Sequence, residues 1–90
     1  MTPNRFQDWL SKLEIPECSI DYKYNKAKNR FEVHVSADVE GVIMMVPSFY
    51  EEAWLHDTRR TQKMMNEFPG KTVAAFERAG KKFKTHMTNG

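Results

Sequence analysis

IDYKYNKAKNRFEVHV, residues 20–35, is the stretch whose reading decides the fold. Ile20, Tyr22 and Tyr24 alternate with Asp21, Lys23 and Asn25, and Phe31, Val33 and Val35 alternate with Arg30, Glu32 and His34. A period of two describes strands with one face on a core and one in water. The polar segment between them, Asn25-Lys26-Ala27-Lys28-Asn29, has asparagines at both ends, where left-handed backbone is tolerated. An antiparallel hairpin follows.

Working outward, Asp38-Val39-Glu40-Gly41 marks the next break. The apolar run Val42-Ile43-Met44-Met45-Val46, closed by Pro47, has the length and β-branching of a short buried strand. Before the hairpin, Phe6, Trp9, Leu10 and Leu13 recur at helical spacing. That helix is expected over about Arg5 to Glu14, with Asn4 as N-cap and Ile15-Pro16 as the stop. After the run, Ser48 reads as an N-cap with Glu51 completing a capping box and Glu52 favouring the positive helix end. The helix so begun extends to about Phe68, with Tyr50, Trp54, Thr61, Met64, Met65 and Phe68 on one side, and Pro69-Gly70 ends it. Val73, Phe76, Gly80, Phe83 and Met87 form a last helical stripe, which Gly80 weakens by about 1 kcal/mol relative to alanine.

The predicted order is helix, three strands in an antiparallel meander, then two helices covering one face. This is an α+β layer arrangement. Ninety residues allow one domain, which buries roughly 64% of its unfolded surface. Residues 70–90 stand out within it as a semi-independent basic helix.

The formal charge of +2 conceals an asymmetry. Met1 to Phe68 holds nine basic and eleven acidic residues, a net of −2, whereas Pro69 to Gly90 holds five basic against Glu77 alone, a net of +4. A basic end attracts polyanions or an acidic protein surface, or it simply keeps a solvated face soluble. Cys18 alone cannot make an internal disulfide or a cysteine-rich zinc site. No apolar run nears the roughly 20 residues of a membrane span, and MTPNRFQDWL lacks the order of a secretory signal. The expected location is the cytoplasm, with no cofactor.

No catalytic constellation is visible. His34, His56 and His86 lie far apart, without metal-ligand spacing. Cys18 reads as a half-buried filler at a strand start. His56 and Asp57, if helical, point about 100° apart. The glycines match neither a Walker A run nor a dinucleotide fingerprint. The expectation is a protein that is not an enzyme.

The helix–three strands–helix order from Asn4 to Phe68 resembles the double-stranded-RNA-binding domain, over about two-thirds of the chain. That family carries a Gly-Pro-x-His type loop between its first strands, where this sequence has Asn25 to Asn29. It also clamps phosphates with lysines at the start of the helix after the sheet, a place taken here by Glu51 and Glu52. The resemblance therefore implies a shared fold without those RNA contacts. Arg59, Arg60 and Lys63, joined by Lys71, Lys81, Lys82 and Lys84, offer a second route to nucleic acid, weak, salt-sensitive and sequence-indifferent, if they converge.

Docking on a protein is the leading expectation. Six methionines, among them the pairs Met44-Met45 and Met64-Met65, suit an adaptable surface, although methionine also fills cores. Left uncovered, the last stripe exposes Val73, Phe76 and Phe83 beside lysines, as a docking helix does. Pro69 between the two helices reads either as a plain turn or as a slow isomerising switch, attended by a prolyl isomerase. The expected partner surface is thus Arg59, Arg60, Lys63, Pro69, Lys71, Phe76, Lys81, Lys82, Phe83 and Lys84. Small size, slight basicity, an initiator methionine and an apparently finished end fit a phage- or mobile-element-encoded accessory protein. Such a protein would modulate or inhibit a DNA- or RNA-processing nuclease or repair complex in the host cytoplasm.

Overall fold

The alternating residues pair as their period requires. The computed structural model describes residues 1–84, in the order α1 (Pro3–Lys12), β1 (Cys18–Asn25), β2 (Arg30–Val39), β3 (Val42–Glu51), a short 3-10 turn (Glu52–His56) and α2 (Thr58–Arg78). The strands form one antiparallel sheet of order β1-β2-β3, so the α+β class and the meander follow the sequence expectation. In register, Tyr24 faces Phe31 and Phe31 faces Tyr50, while Ile20 faces Val35 and Val35 faces Val46. Phe31, Val33, Val35, Ala37 and Val39 of β2 are buried against Phe6 and Leu10 of α1 and Phe68, Val73 and Phe76 of α2. Both helices therefore cover the same face of the sheet, and the opposite face is open to water.

Helix α1 begins two residues earlier than Asn4-capping predicts. Thr2 is the N-cap, its hydroxyl accepting from the Arg5 amide at 3.3 Å, and Pro3 opens the helix. Proline suits that first position, where its missing N–H would have no helical partner. Leu13 is already extended, which lets Ile15 enter the core at 3% exposure.

Strand β3 departs further from expectation. It continues through Pro47 to Glu51, and its Val42–Met45 segment is exposed rather than buried. Ser48 and Glu51 make no capping box. Local capping, worth about 1 kcal/mol, competes here with pairing that sets Tyr50 against Phe31 and brings its ring to 5.4 Å from Phe6 and 6.0 Å from Phe68. Burying an aromatic side chain stabilises by about 1.5–3 kcal/mol. The strand wins.

The two helices expected after the sheet are one. Asp57, not Ser48, caps α2, its carboxylate accepting from the Arg60 amide at 3.0 Å. The helix then runs through Pro69 and Gly70 to Arg78. An interior proline costs about 3 kcal/mol. Thr61, Phe68, Thr72, Val73 and Phe76 are all buried along one side of α2, and Phe68, Val73 and Phe76 alone recover about 1.5–3 kcal/mol each. The proline is outweighed.

Gly80, at φ 108°, stops the helix. Its amide donates to Glu77 O, and the Lys81 amide donates to Phe76 O, both at 3.0 Å. This pair of bonds is the Schellman closure that a glycine in this conformation permits. Residues 70–78 are thus the second half of α2, with Val73 and Phe76 in the core rather than on a separate basic helix. Met87, the last member of the expected stripe, lies outside the described residues.

Candidate functional site

One end of the molecule gathers several chain segments around the 3-10 turn. The Glu52 amide donates to Asn29 O at 2.9 Å, joining the turn to the β1–β2 loop. The Met1 amino group donates to Leu55 O at 2.7 Å, bringing in the start of α1. The Thr61 hydroxyl lies 2.9 Å from Asp57 O and 3.1 Å from Trp54 O, fixing the first turn of α2. Lys26 and Lys28 on the loop, and Arg59, Arg60 and Lys63 on the opening turns of α2, are exposed at this end.

The Arg60 guanidinium lies 4.6 Å from the centre of the Trp54 ring, a cation–π arrangement that holds it in place. Of the three nearby carboxylates, Asp57 is engaged with the helix's own amide and Glu52 accepts from the Tyr24 hydroxyl. That bond raises the Tyr24 pKa, since an anionic neighbour disfavours a second anion. Glu51 is exposed. Five cations thus face three carboxylates, two of them already engaged.

The remaining basic residues do not join this group. Nineteen residues of α2 separate Arg59 from the helix end at Arg78, and at 1.5 Å per residue that is about 28 Å, well over two screening lengths at 0.1 M salt. Lys71 is exposed and paired with Glu67 at 3.4 Å. The Lys81 side chain is only 9% exposed, donating to Asp38 O at 3.0 Å and lying 3.6 Å from Glu17. The Lys84 amide donates to the same Glu17 carboxylate at 2.7 Å. Glu17, Asp38, Glu40, Gly80, Lys81, Lys82 and Lys84 line one shallow hollow, in which acidic turns tie down the chain after α2. Of its three lysines, Lys82 and Lys84 are exposed.

Two expected docking residues are corrected by burial. Phe76 is fully buried, and Phe83 is half-buried against the core. Pro69 is half-buried within a continuous helix, which leaves no joint for an isomerising switch or a prolyl isomerase to turn.

Lys26, Lys28 and Trp54 are additions that the sequence reading passed over. The two lysines read as ordinary turn residues, and only the Glu52–Asn29 bond ties their loop to the 3-10 turn that precedes α2. The polar side of the open sheet face is organised by Glu32, which is 9% exposed and bonded by Arg30 Nε at 3.0 Å and Asn25 Nδ2 at 3.3 Å. Arg30 holds the Glu32 carboxyl below its ordinary range, and lies 4.1 Å from the centre of the Phe49 ring.

Cys18 is half-buried at the first residue of β1, and burial raises its pKa. Among the described residues no group of three or more histidine, cysteine or acidic side chains is placed to hold a metal, and no helix is long and apolar enough to cross a membrane. The chain matches no protein-family model, no curated protein and no solved structure.

Proposed function

We propose that this chain is a small, non-enzymatic nucleic-acid-binding module that grips phosphates with the cationic end just described. The observation that carries this reading is the start of α2 at Thr58. It puts Arg59, Arg60 and Lys63, rather than Glu51 and Glu52, on the first turns of the helix after the sheet. That is where the double-stranded-RNA-binding domain, which the sequence resembles, places its phosphate-clamping lysines. The Asp57 carboxylate already occupies the end of the helix, so the grip rests on the basic side chains, and Lys26 and Lys28 extend the patch. Nothing in the patch is shaped to read base edges, so binding is sequence-indifferent.

The test is fluorescence anisotropy with duplex RNA and duplex DNA of about 16 base pairs. Four phosphate contacts predict a log–log salt slope of about −3.6, or roughly 150-fold weaker binding between 50 and 200 mM salt. Arg59→Glu, Arg60→Glu and Lys63→Glu combined should abolish binding with circular dichroism unchanged. Absence of binding at the lower salt, or an affinity indifferent to the triple substitution, would overturn the reading.

A second reading keeps the same end but gives it an acidic protein surface, in an accessory role beside a nuclease or repair complex. The Arg60–Trp54 stack favours it, because arginine and tryptophan dominate protein–protein hot spots. A stoichiometric protein captured from lysate through Arg60, surviving nuclease treatment and moderate salt, would select this reading over the first.

A further inference from the structure

Strand β3 is an edge strand. Every large apolar residue that the structure leaves exposed among the described residues lies on it: Val42 at 63%, Ile43 at 70%, Met44 at 37%, Met45 at 53% and Phe49 at 43%. Natural edges are blunted by charges, prolines or bulges. From Val42 to Phe49 this one carries no charge, and Pro47 is its single blunting residue. We infer that the Val42–Val46 edge pairs antiparallel with the same edge of a second copy, making a continuous six-stranded sheet. This inference is independent of the nucleic-acid reading.

The backbone phase specifies how. Glu40 and Gly41 have φ of 52° and 85°, the mirror-image geometry of a two-residue hairpin turn closing on Val39 and Val42. Hydrogen-bonded pairs alternate from that closing pair, so Val42, Met44, Val46, Ser48 and Tyr50 bond to β2. The Glu52-to-Asn29 bond at the far end has the same phase. Ile43, Met45, Pro47 and Phe49 therefore turn their main-chain groups to the open edge.

With Met44 on a twofold axis, Ile43 of each copy exchanges two main-chain bonds with Met45 of the other. The next positions outward are Gly41 of one copy and Pro47 of the other. The Gly41 amide is already given to Asp38 at 2.7 Å, and Pro47 has none, so no donor is stranded there. Glu40 falls opposite Ser48 of the other copy, and no carboxylate opposes another.

The five exposed side chains amount to on the order of 500 Å² per copy, within the range of patches that are functional on monomers. Phe49 lies outside the paired segment, so two copies together bury up to about 800 Å², the size of a weak, transient interface. A second copy fits this edge better than a foreign strand of alternating pattern. It brings an uncharged, two-sided apolar segment that covers Ile43 and Met45 on one face and Val42 and Met44 on the other.

Sedimentation velocity on the full chain, from about 1 to 200 µM, should show the 10.6 kDa species converting to twice that mass. Met45→Lys and Ile43→Lys, both at exposed side chains, should each hold the chain monomeric with unchanged circular dichroism. In a Cys18→Ser background, Met44→Cys should cross-link to a dimer on oxidation, because the non-hydrogen-bonded pair on the axis sets the two Cα atoms about 4.5 Å apart. Phe49→Cys should not cross-link. A monomer across the whole range would overturn the inference and leave the edge to a foreign strand. Dimers that persist in both lysine variants, or cross-linking at Phe49→Cys equal to that at Met44→Cys, would overturn it equally.

Discussion

Phe76→Ala separates a core residue from a docking residue more sharply than any other single substitution in this chain. The Phe76 side chain is fully buried and belongs to the same cluster as Phe6, Phe31, Leu55 and Phe68. Removing a buried phenylalanine ring costs about 3–5 kcal/mol, through lost transfer energy and the cavity left behind. A chain of this length has a total stability of roughly 5–14 kcal/mol, so the substitution consumes between a quarter and all of it. At about 4–8 °C per kcal/mol for a domain of this size, a loss of 4 kcal/mol lowers the melting temperature by about 16–32 °C. The assay is a thermal melt followed by circular dichroism, with Lys82→Ala as an exposed control expected to stay within about 0.5 kcal/mol. A Phe76→Ala protein melting within about 3 °C of the parent would refute the packing of α2 described above. It would also restore the idea that this segment is offered to a partner.

Three further outcomes follow from the same structure. Pro69→Ala should raise the melting temperature, since alanine restores an amide donor in mid-helix and removes a penalty of up to about 3 kcal/mol; a lower value would mean that the proline ring is itself an indispensable packing element. Burial pushes Tyr50 up to about 12 from 10.0. The folded form thus holds its proton more tightly than the unfolded chain, and the linked stability is complete below pH 10 and lost as pH climbs through about 12. Tyr50→Phe should flatten that alkaline loss in pH-dependent melts. Glu32 behaves oppositely: its folded pKa lies below the ordinary 4.5, chiefly through the Arg30 bond, so the linked stability is present above pH 4.5 and disappears as pH falls through the folded value. Glu32→Gln should therefore lose less melting temperature between neutral and acid pH than the parent, and an identical acid slope in the two proteins would count against the network.

The electrostatic consequence of the fold reaches beyond stability. A chain with a basic C-terminal quarter carries a second group of exposed cations elsewhere. The Glu17 carboxylate and the Asp38 main-chain carbonyl engage Lys81, and Glu67 engages Lys71. Arg59, Arg60 and Lys63 stand at the opposite end of α2, just after the 3-10 turn to which the β1–β2 loop is bonded. Formal charge counted along the chain therefore does not reveal this second group, most of a helix length away.

The hairpin, the three-strand meander and the face of α1 could be read directly from residues. Each rests on a local period, two for Ile20–Tyr24 and Phe31–Val35 and near 3.6 for Phe6–Leu13, and one face of every such element packs on the core, half-buried in the case of β1. The bounds of the later elements could not, because the local signals there are true but small. Ser48 and Glu51 are sound capping residues, and Pro69-Gly70 is a sound stop. Each is worth about 1–3 kcal/mol, less than what burial of Tyr50, Phe68, Val73 and Phe76 returns once the sheet exists to receive them. One clue to the continuous helix was present all the same: Thr61, Met65, Phe68, Thr72 and Phe76 keep helical spacing straight across the proline. The exposure of Val42–Met45 had no such clue. Composition says that five apolar residues prefer to be covered, but coverage depends on where the two helices lie, and they lie over β2.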